Sequence, residues 1–382
     1  MELKFLEYQQ HIRTKNEWRL EPTTFDNVNL IAGQNATGKT KVLNVISGLA
    51  RLFSDIQNIQ YKSGTYRIVF IKDSNEFSYY LNYKNSKVLS EKLQINGEVH
   101  LNRDSHGDAK IFSNQIKQKL EYKIPEDQLA VLTKRDSRQH PFLDELYVWG
   151  KDLIHFKFGD SLGKNVMGMS SKRVAKDLQF NLKSTDKVLY IYKKGRKKYG
   201  PGFERAIKQD MASVGYNLEK IFLSQPVSLQ ISGDFPTQPV ALTVKEKDLP
   251  GLTDQNDMSQ GMFRALSLLI QLNYARKANK LSCVLIDDIG EGLDYERSSN
   301  LIKLLLRKMK KKSVQLIMST NDRFVMNNVP LECWIIMHRV GNKSLNFNYR
   351  DSKELFDEFE LMGLNNFDFF TSKFFLKKLD DK

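Results

Sequence analysis

The period of the apolar positions changes several times along the chain. Residues 2–8 alternate in the manner of a strand, and FDNVNLIAG (25–33) is a short apolar run that ends on glycine. KVLNVISGLARLF (41–53) then sets Val42, Val45, Ile46, Leu49, Leu52 and Phe53 at helical spacing, which predicts an amphipathic helix with one buried stripe. Between 65 and 103 the period drops to two, in the runs TYRIVFI, EFSYYLNY, KVLSEKLQI and EVHLNR. Asp-Ser-Asn, Lys-Asn-Ser and Asn-Gly separate these runs, so the stretch predicts an antiparallel meander. Residues 112–150 read as largely helical and DLIHFKF (152–158) as a further strand. Residues 160–257 are mixed and polar, with helical segments predicted near 170–182 and 202–222.

The last third is more regular. MSQGMFRALSLLIQLNYARKAN (258–279) predicts a long helix, and LSCVLIDDIGEGLD (281–294) a buried strand running into a loop. ERSSNLIKLLLRKMKK predicts a helix, SVQLIMSTND a strand and loop, and LECWIIMHRV another strand. No repeat, low-complexity tract or long heptad run is found, so no long coiled-coil arm is expected. The sum is an α/β protein.

Composition narrows this picture. A chain of 382 residues, 41% hydrophobic and 27% charged, has enough apolar material for one large domain or two modest ones. No run of about 18 apolar residues predicts a membrane span, and MELKFLEYQQ lacks the order of a signal peptide. Cys283 and Cys333 make neither a disulfide framework nor metal-ligand spacing, which points to a reducing cytoplasm. His11, His100, His106, His140, His155 and His338 are scattered and read as structural.

The formal net charge is +14, which suits a polyanionic partner and equally a lysine-rich, solubilising surface. It concentrates in KKGRKK (193–198) and RKMKKK (307–312). The second block reads as a helix end with cations near the negative pole. The first lies between a strand-like KVLYIY and YGPGF, predicts an exposed basic turn, and is the better nucleic-acid candidate. GLNNFDFFTSKFFLKKL (363–379) carries five phenylalanines, which read first as core and second as an aromatic dock.

The chemistry sits at two strand ends. Gly33, Gly38, Lys39 and Thr40 fit G-x-x-x-x-G-K-[ST], with an apolar strand before and an amphipathic helix after. Glycines let backbone N–H groups curl round phosphates, Lys39 would bridge the β- and γ-phosphates of ATP, and Thr40 would give its hydroxyl to Mg2+. Asn35 and Lys41 count with them as nucleotide-contacting positions. The alternative is a glycine turn with no ligand. Downstream, CVLIDDIGEGLD drives a buried strand into Asp287 and Asp288. Asp287 would hold Mg2+, and Asp288, pointing the other way, would orient or deprotonate the attacking water. The alternative there is a strand ending in a solvated acidic turn.

Three further segments bring in a resemblance. MSQGM (258–262) resembles the LSGGQ-like signature of ABC ATPases, EGLD (291–294) their D-loop, and LIMSTND (316–322) their switch strand. The order of segments resembles the ABC head shared by RecF, SMC-type ATPases and the ATPase half of OLD-family proteins, over roughly residues 1–55 and 255–325. The resemblance implies that residues 1–158 and 258–382 form one discontinuous mixed α/β core lobe with an antiparallel β subdomain, and that residues 159–257 are inserted as a mostly helical lobe leading into the helix at 258. LIDDIGEGLDYER is similar to the matching RecF segment.

The resemblance implies that Ser259 and Gly261 contact the γ-phosphate of ATP held by a second copy. Asp294 is counted among the nucleotide-contacting residues, and a head-to-tail homodimer forms on ATP. Two positions depart from the pattern. The usual Glu after the magnesium aspartate is Asp288, with Glu291 as a candidate substitute, and the usual switch His is Asn321. Both favour slow turnover. The signature is loose at Gln260 and Met262, and the glutamine loop is not located. No Toprim-like acidic cluster follows residue 325.

The function implied is an Mg2+-dependent ATPase of an anti-phage or DNA-repair system, of the AAA-family kind. It would act on DNA through a separate effector protein such as a nuclease, with no membrane partner. The rivals are a transporter-type nucleotide-binding subunit, against which the meander and DYER weigh, and a nucleotide-dependent scaffold with little turnover.

Overall fold

The computed structural model describes residues 1–55, 59, 61–171, 184–229, 237–310 and 314–377. The chain opens with a hairpin, β1 (Glu2–Gln10) and β2 (Trp18–Thr24), then β3 (Val28–Gly33) and α1 (Lys39–Ser54). The meander follows: β4 (Ser63–Lys72), β5 (Asn75–Lys84), β6 (Lys87–Ile95), β7 (Glu98–Arg103), β8 (Asp108–Ser113) and β9 (Gln118–Lys123). Helices α2 (Ala130–Thr133) and α3 (Pro141–Lys151) lead to β10 (Ile154–Lys157). Next come β11 (Gly168–Ser171), α4 (Val188–Tyr199), α5 (Pro201–Val214), β12 (Leu218–Ser224), β13 (Thr237–Glu246) and β14 (Thr253–Asp254). The last third holds α6 (Gln260–Lys277), β15 (Cys283–Asp287), α7 (Tyr295–Lys310), β16 (Gln315–Thr320) and α8 (Arg323–Asn327). It ends with β17 (Trp334–Val340), β18 (Lys343–Asn348), α9 (Lys353–Leu361) and α10 (Asn366–Thr371).

One 14-stranded sheet runs β10-β15-β16-β3-β17-β18-β2-β1-β4-β5-β6-β7-β8-β9. Its first five strands are mutually parallel, and from β2 to β9 every pairing is antiparallel. The two parts differ in sequence for a physical reason. Parallel strands are covered on both faces, so β3, β15 and β16 are buried at every position. Leu30, Ala32, Val284, Ile286, Leu316 and Met318 face the core built with α6 and α7. Ile31, Cys283, Leu285 and Ile317 face the core shared with α1 and the meander. All five phenylalanines of the C-terminal segment pack on the first of these cores, Phe369, Phe374 and Phe375 buried in it and Phe367 and Phe370 partly so.

Four local expectations change. Residues 112–123 are not helical: β8 ends at Ser113 and β9 forms the sheet's edge. An edge strand as polar as QKLEYK has no apolar period to reveal it. KKGRKK is not a turn but the C-terminal half of α4. Val188, Leu189, Ile191, Tyr192 and Gly195 are its buried face, and a run this short reads equally as strand or helix. Phe203 of α5 packs so tightly on Gly195 that a Cβ there would overlap the ring. The helix predicted over 202–222 stops at Gly215, whose φ of 106° ends α5, and 218–224 is strand. Among its described residues the stretch 159–257, expected to be mostly helical, holds two helices and a second sheet, β11-β13-β12 with β14 on β13. The helix expected near 170–182 falls outside the described residues except at 170 and 171, which belong to β11.

Candidate functional site

Strand β3 delivers the chain into the phosphate-type loop. A Cβ on Gly33 would lie 2.7 Å from Thr37 Oγ1 and 2.8 Å from the carbonyl oxygen of Met337 on β17, so only glycine fits. Gly38 takes φ 108° to turn the loop into α1, a conformation that costs a side chain. The loop closes on its own lysine: Lys39 Nζ donates to the carbonyls of Gly33 (2.8 Å) and Gln34 (3.1 Å). Burial lowers the pKa of Lys39, and the nearby Asp288 and Asp287 work against that shift. Thr40 and Asn35 stay exposed.

Two strands away in the sheet, β15 ends on Asp287. Asp287 Oδ1 accepts from Thr40 Oγ1 at 3.2 Å, 247 residues distant in sequence, and from Ser319 Oγ of β16. Asp288 leaves the strand with φ 54°, and its amide donates to the same Ser319 hydroxyl at 3.0 Å. One serine therefore holds both residues, the carboxylate of Asp287 and the amide of Asp288. Burial, then Asp287 and Glu291, raise the pKa of Asp288, against the pull of Lys39. Asn321 Nδ2 donates to Asn35 Oδ1 at 3.0 Å, tying the switch-like loop to the phosphate loop. Lys41 instead lies over the Trp18 ring, 4.1 Å from its centroid. Trp18 Nε1 donates to Ser344, which donates to the carbonyl of Thr37.

A second cluster surrounds the start of α6. Ser259 is exposed and caps the helix, its hydroxyl accepting from the amide of Met262 at 3.2 Å. Gly261 packs against the carbonyl of Gly292 too closely to admit a Cβ. Arg264, one turn further on, is buried and joins three segments. Its Nε donates to the carbonyl of Asp160 (3.1 Å), Nη1 to that of Glu291 (3.0 Å), and Nη2 to that of Gly159. The Glu291 carboxylate lies 3.8 Å from the same guanidinium. Asp294 accepts from the amide of Arg297 at 2.9 Å and pairs with its guanidinium in the first turn of α7, and that amide bond leads in holding its pKa low.

The structure thus brings Gly33, Gly38, Lys39, Thr40, Asp287 and Asp288 together and joins Asn35 to Asn321. Ser259, Gly261, Glu291 and Asp294 gather at the other cluster. Sequence reasoning missed Ser319 and Arg264. Ser319 lies inside LIMSTND, where it reads as a linker. Arg264 follows the signature at an unremarked helical step, and no local pattern marks a buried arginine whose partners are backbone carbonyls.

No family model and no curated protein matches the sequence. Solved structures do. An SmcHead bound to the C-winged helix domain of ScpA matches with a TM-score of 0.53 at 13% identity, over 93% of this chain and 100% of that one. An Smc head domain with an extended coiled coil, bound to the C-terminal domain of ScpA, derived from Pyrococcus furiosus, matches at 0.51 and 11%, over 94% and 99%. The fold defined is therefore a mixed α/β one built on a large sheet. The particular likeness is to SMC heads, and at these identities it concerns the fold alone.

Proposed function

We propose that the chain binds Mg2+ and ATP, hydrolyses the nucleotide slowly in a dimer that sandwiches it, and thereby gates an activity on nucleic acid. In this reading it is the cytoplasmic ATPase of an anti-phage or DNA-repair system whose effector is a separate chain. Residues 1–158 with 258–382 act as the core lobe and 159–257 as the lobe that carries the signature to the partner.

The observation that carries the proposal is the meeting of Thr40 and Asp287 at 3.2 Å beside Lys39. A hydroxyl and a carboxylate are oxygen donors of the kind Mg2+ takes together with water and nucleotide phosphates. Among the described residues no group of three or more His, Cys, Asp or Glu could hold a metal by itself, which suits an ion that depends on the nucleotide for its remaining ligands. When bound, the ion would neutralise charge on the transferring phosphate. The protein's own part is positional. Lys39 exchanges the carbonyls of Gly33 and Gln34 for phosphate oxygens. Asp288, next along the chain from Asp287, orients the water and takes its proton. Asn321, tethered to Asn35, offers an uncharged hydrogen bond where a histidine could carry charge. A short base and a neutral switch residue make turnover slow.

Ser259, Gly261 and the positive end of α6 suit a phosphate arriving from outside the chain. That favours the second copy, with Asp294 near the same junction. The Smc heads of like fold were solved with ScpA domains bound, which supports a separate protein partner here. Among the described residues no helix is long and apolar enough to cross a membrane.

Lys39→Ala tests the site: ATP affinity measured by calorimetry should fall about a hundred-fold, the scale of losing a charged hydrogen bond. Unchanged affinity would sink the assignment. The scaffold reading keeps one observation in its favour, the short Asp288 side chain in the catalytic position. Phosphate release measured with and without DNA separates the two.

A further inference from the structure

The basic segment 193–198 acquires a different meaning once it is helical. Lys193, Lys194, Lys197 and Lys198 are all exposed on α4, while Val188, Leu189, Ile191, Tyr192 and Gly195 face the core. Arg196 is engaged by Glu204 at 2.7 Å. Among the described residues no carboxylate pairs with the four lysines.

α4 packs on α6, and there the charge continues. Tyr190, Lys194, Lys198, Tyr274 and Lys280 line one groove. Lys198 and Lys277 both lie over the Tyr199 ring, 5.2 and 5.8 Å from its centroid. Two helices therefore contribute cations to one face, and among the described residues the acid that meets a cation of α4 there is Glu204, on Arg196.

Helix polarity accounts for part of this. Cations in a last turn complement the negative pole, which suits Lys197, Lys198 and Lys277. The effect fades beyond that turn and leaves Lys193 and Lys194 unexplained. Like charges at one-turn spacing also repel and cost stability in isolation. A face that keeps them unneutralised is built for an anion larger than a single carboxylate.

We propose that the α4–α6 face binds the phosphate backbone of duplex nucleic acid without reading its sequence. The proposal rests on the nucleic-acid half of the function above and says where the duplex sits. Lysines on long flexible stems meet phosphates as point charges, whereas base readout favours the planar fork of arginine. Single-strand binding needs exposed aromatic platforms. Of the groove tyrosines Tyr274 is buried, and Tyr190 is 38% exposed. Backbone binding to a duplex fits this inventory better than base stacking.

The test compares three forms of the full chain: wild type, Lys194→Glu/Lys198→Glu/Lys280→Glu, and a charge-matched control, Lys84→Glu/Lys117→Glu/Lys119→Glu, on the distant meander. Affinity for a random-sequence DNA duplex is measured across a salt series, with thermal melts to check folding. Wild-type log K should fall linearly with log salt, and the groove variant should bind at least ten-fold more weakly at low salt. Its slope should be shallower by about 0.9 for each phosphate it no longer neutralises. The control should stay near wild type. Equal weakening in both variants reduces the effect to net charge and overturns the site. So does an unchanged groove variant, or a wild type that ignores DNA yet binds phosphatidylserine vesicles. ATP hydrolysis without DNA is read in parallel. If it is absent in all three while the groove variant alone fails to bind DNA, the nucleotide reading fails and the basic face stands.

Discussion

The two halves of the candidate site are built in opposite ways. Around the phosphate loop the functional groups hold one another: Lys39 grips its own loop, Thr40 meets Asp287, and Asn35 meets Asn321. Around the signature helix they hold scaffold. Ser259 caps α6, Gly261 lies under Gly292, and Arg264 fastens Gly159, Asp160 and Glu291 by their carbonyls. The first half is a closed set that a ligand can open by exchanging bonds. The second is a rigid platform with an exposed serine at its edge. In the proposed dimer this asymmetry would suit one half that binds nucleotide alone and one that meets it from a second copy.

Four substitutions can break or sharpen that contrast. The largest effect belongs to Asp288→Asn, which should slow hydrolysis by about a hundred- to ten-thousand-fold while leaving nucleotide bound. Asp288 also sets a pH test. Its pKa is raised, and a base must be ionised, so activity should climb with pH through a value above the ordinary aspartate pKa of about 3.9. The variant should lose that acid limb; a limb that persists in it moves the base to Glu291.

Arg264→Met comes next. It strands three backbone carbonyls, and at 1–3 kcal/mol or so for an unsatisfied buried group the total is on the order of 3 kcal/mol or more in urea unfolding. Lysine should recover only part, because an ammonium cannot reproduce the fork. The sharper readout is ATP-driven dimerisation, which should fall further than the monomer's ATP affinity. Equal weakening of both would make Arg264 a purely structural residue.

Gly261→Ala introduces a Cβ against the Gly292 carbonyl and should cost about 1–3 kcal/mol, as overpacking does. Ser259→Ala is the smallest, about 1 kcal/mol for a missing N-cap. If the serine also meets a partner's phosphate, dimerisation weakens while affinity at the phosphate loop holds. A shift in melting temperature alone would confine Ser259 to capping.

Much of the fold was legible because its signals are local. The apolar runs of β3, β15 and β16 mark strands covered on both faces, and Val42, Val45, Ile46 and Leu49 mark the buried stripe of α1. The glycines of the phosphate loop were legible for the same reason, since their backbone demands are written in the adjacent residues. Legibility failed where a neighbour in space decides. β9 is a strand only because β8 pairs with it, and α4 is a helix because Phe203 and α6 cover its apolar face. Ser319 and Arg264 show no local mark because their roles consist of bonds to distant backbone and carboxylate atoms.

By itself, then, the sequence determined the loop that turns on Gly33 and Gly38, the acidic strand end at Asp287 and Asp288, and the helix that Ser259 caps. Each is set by propensity and spacing within a few residues. Only the tertiary structure decided that Thr40 and Asp287 meet across the sheet, that Gly261 must stay glycine beneath Gly292, and that Lys194 and Lys198 of α4 line a single groove with Lys280, just past α6. Those outcomes depend on strand order and helix packing, which no stretch of residues specifies until the chain has closed on itself.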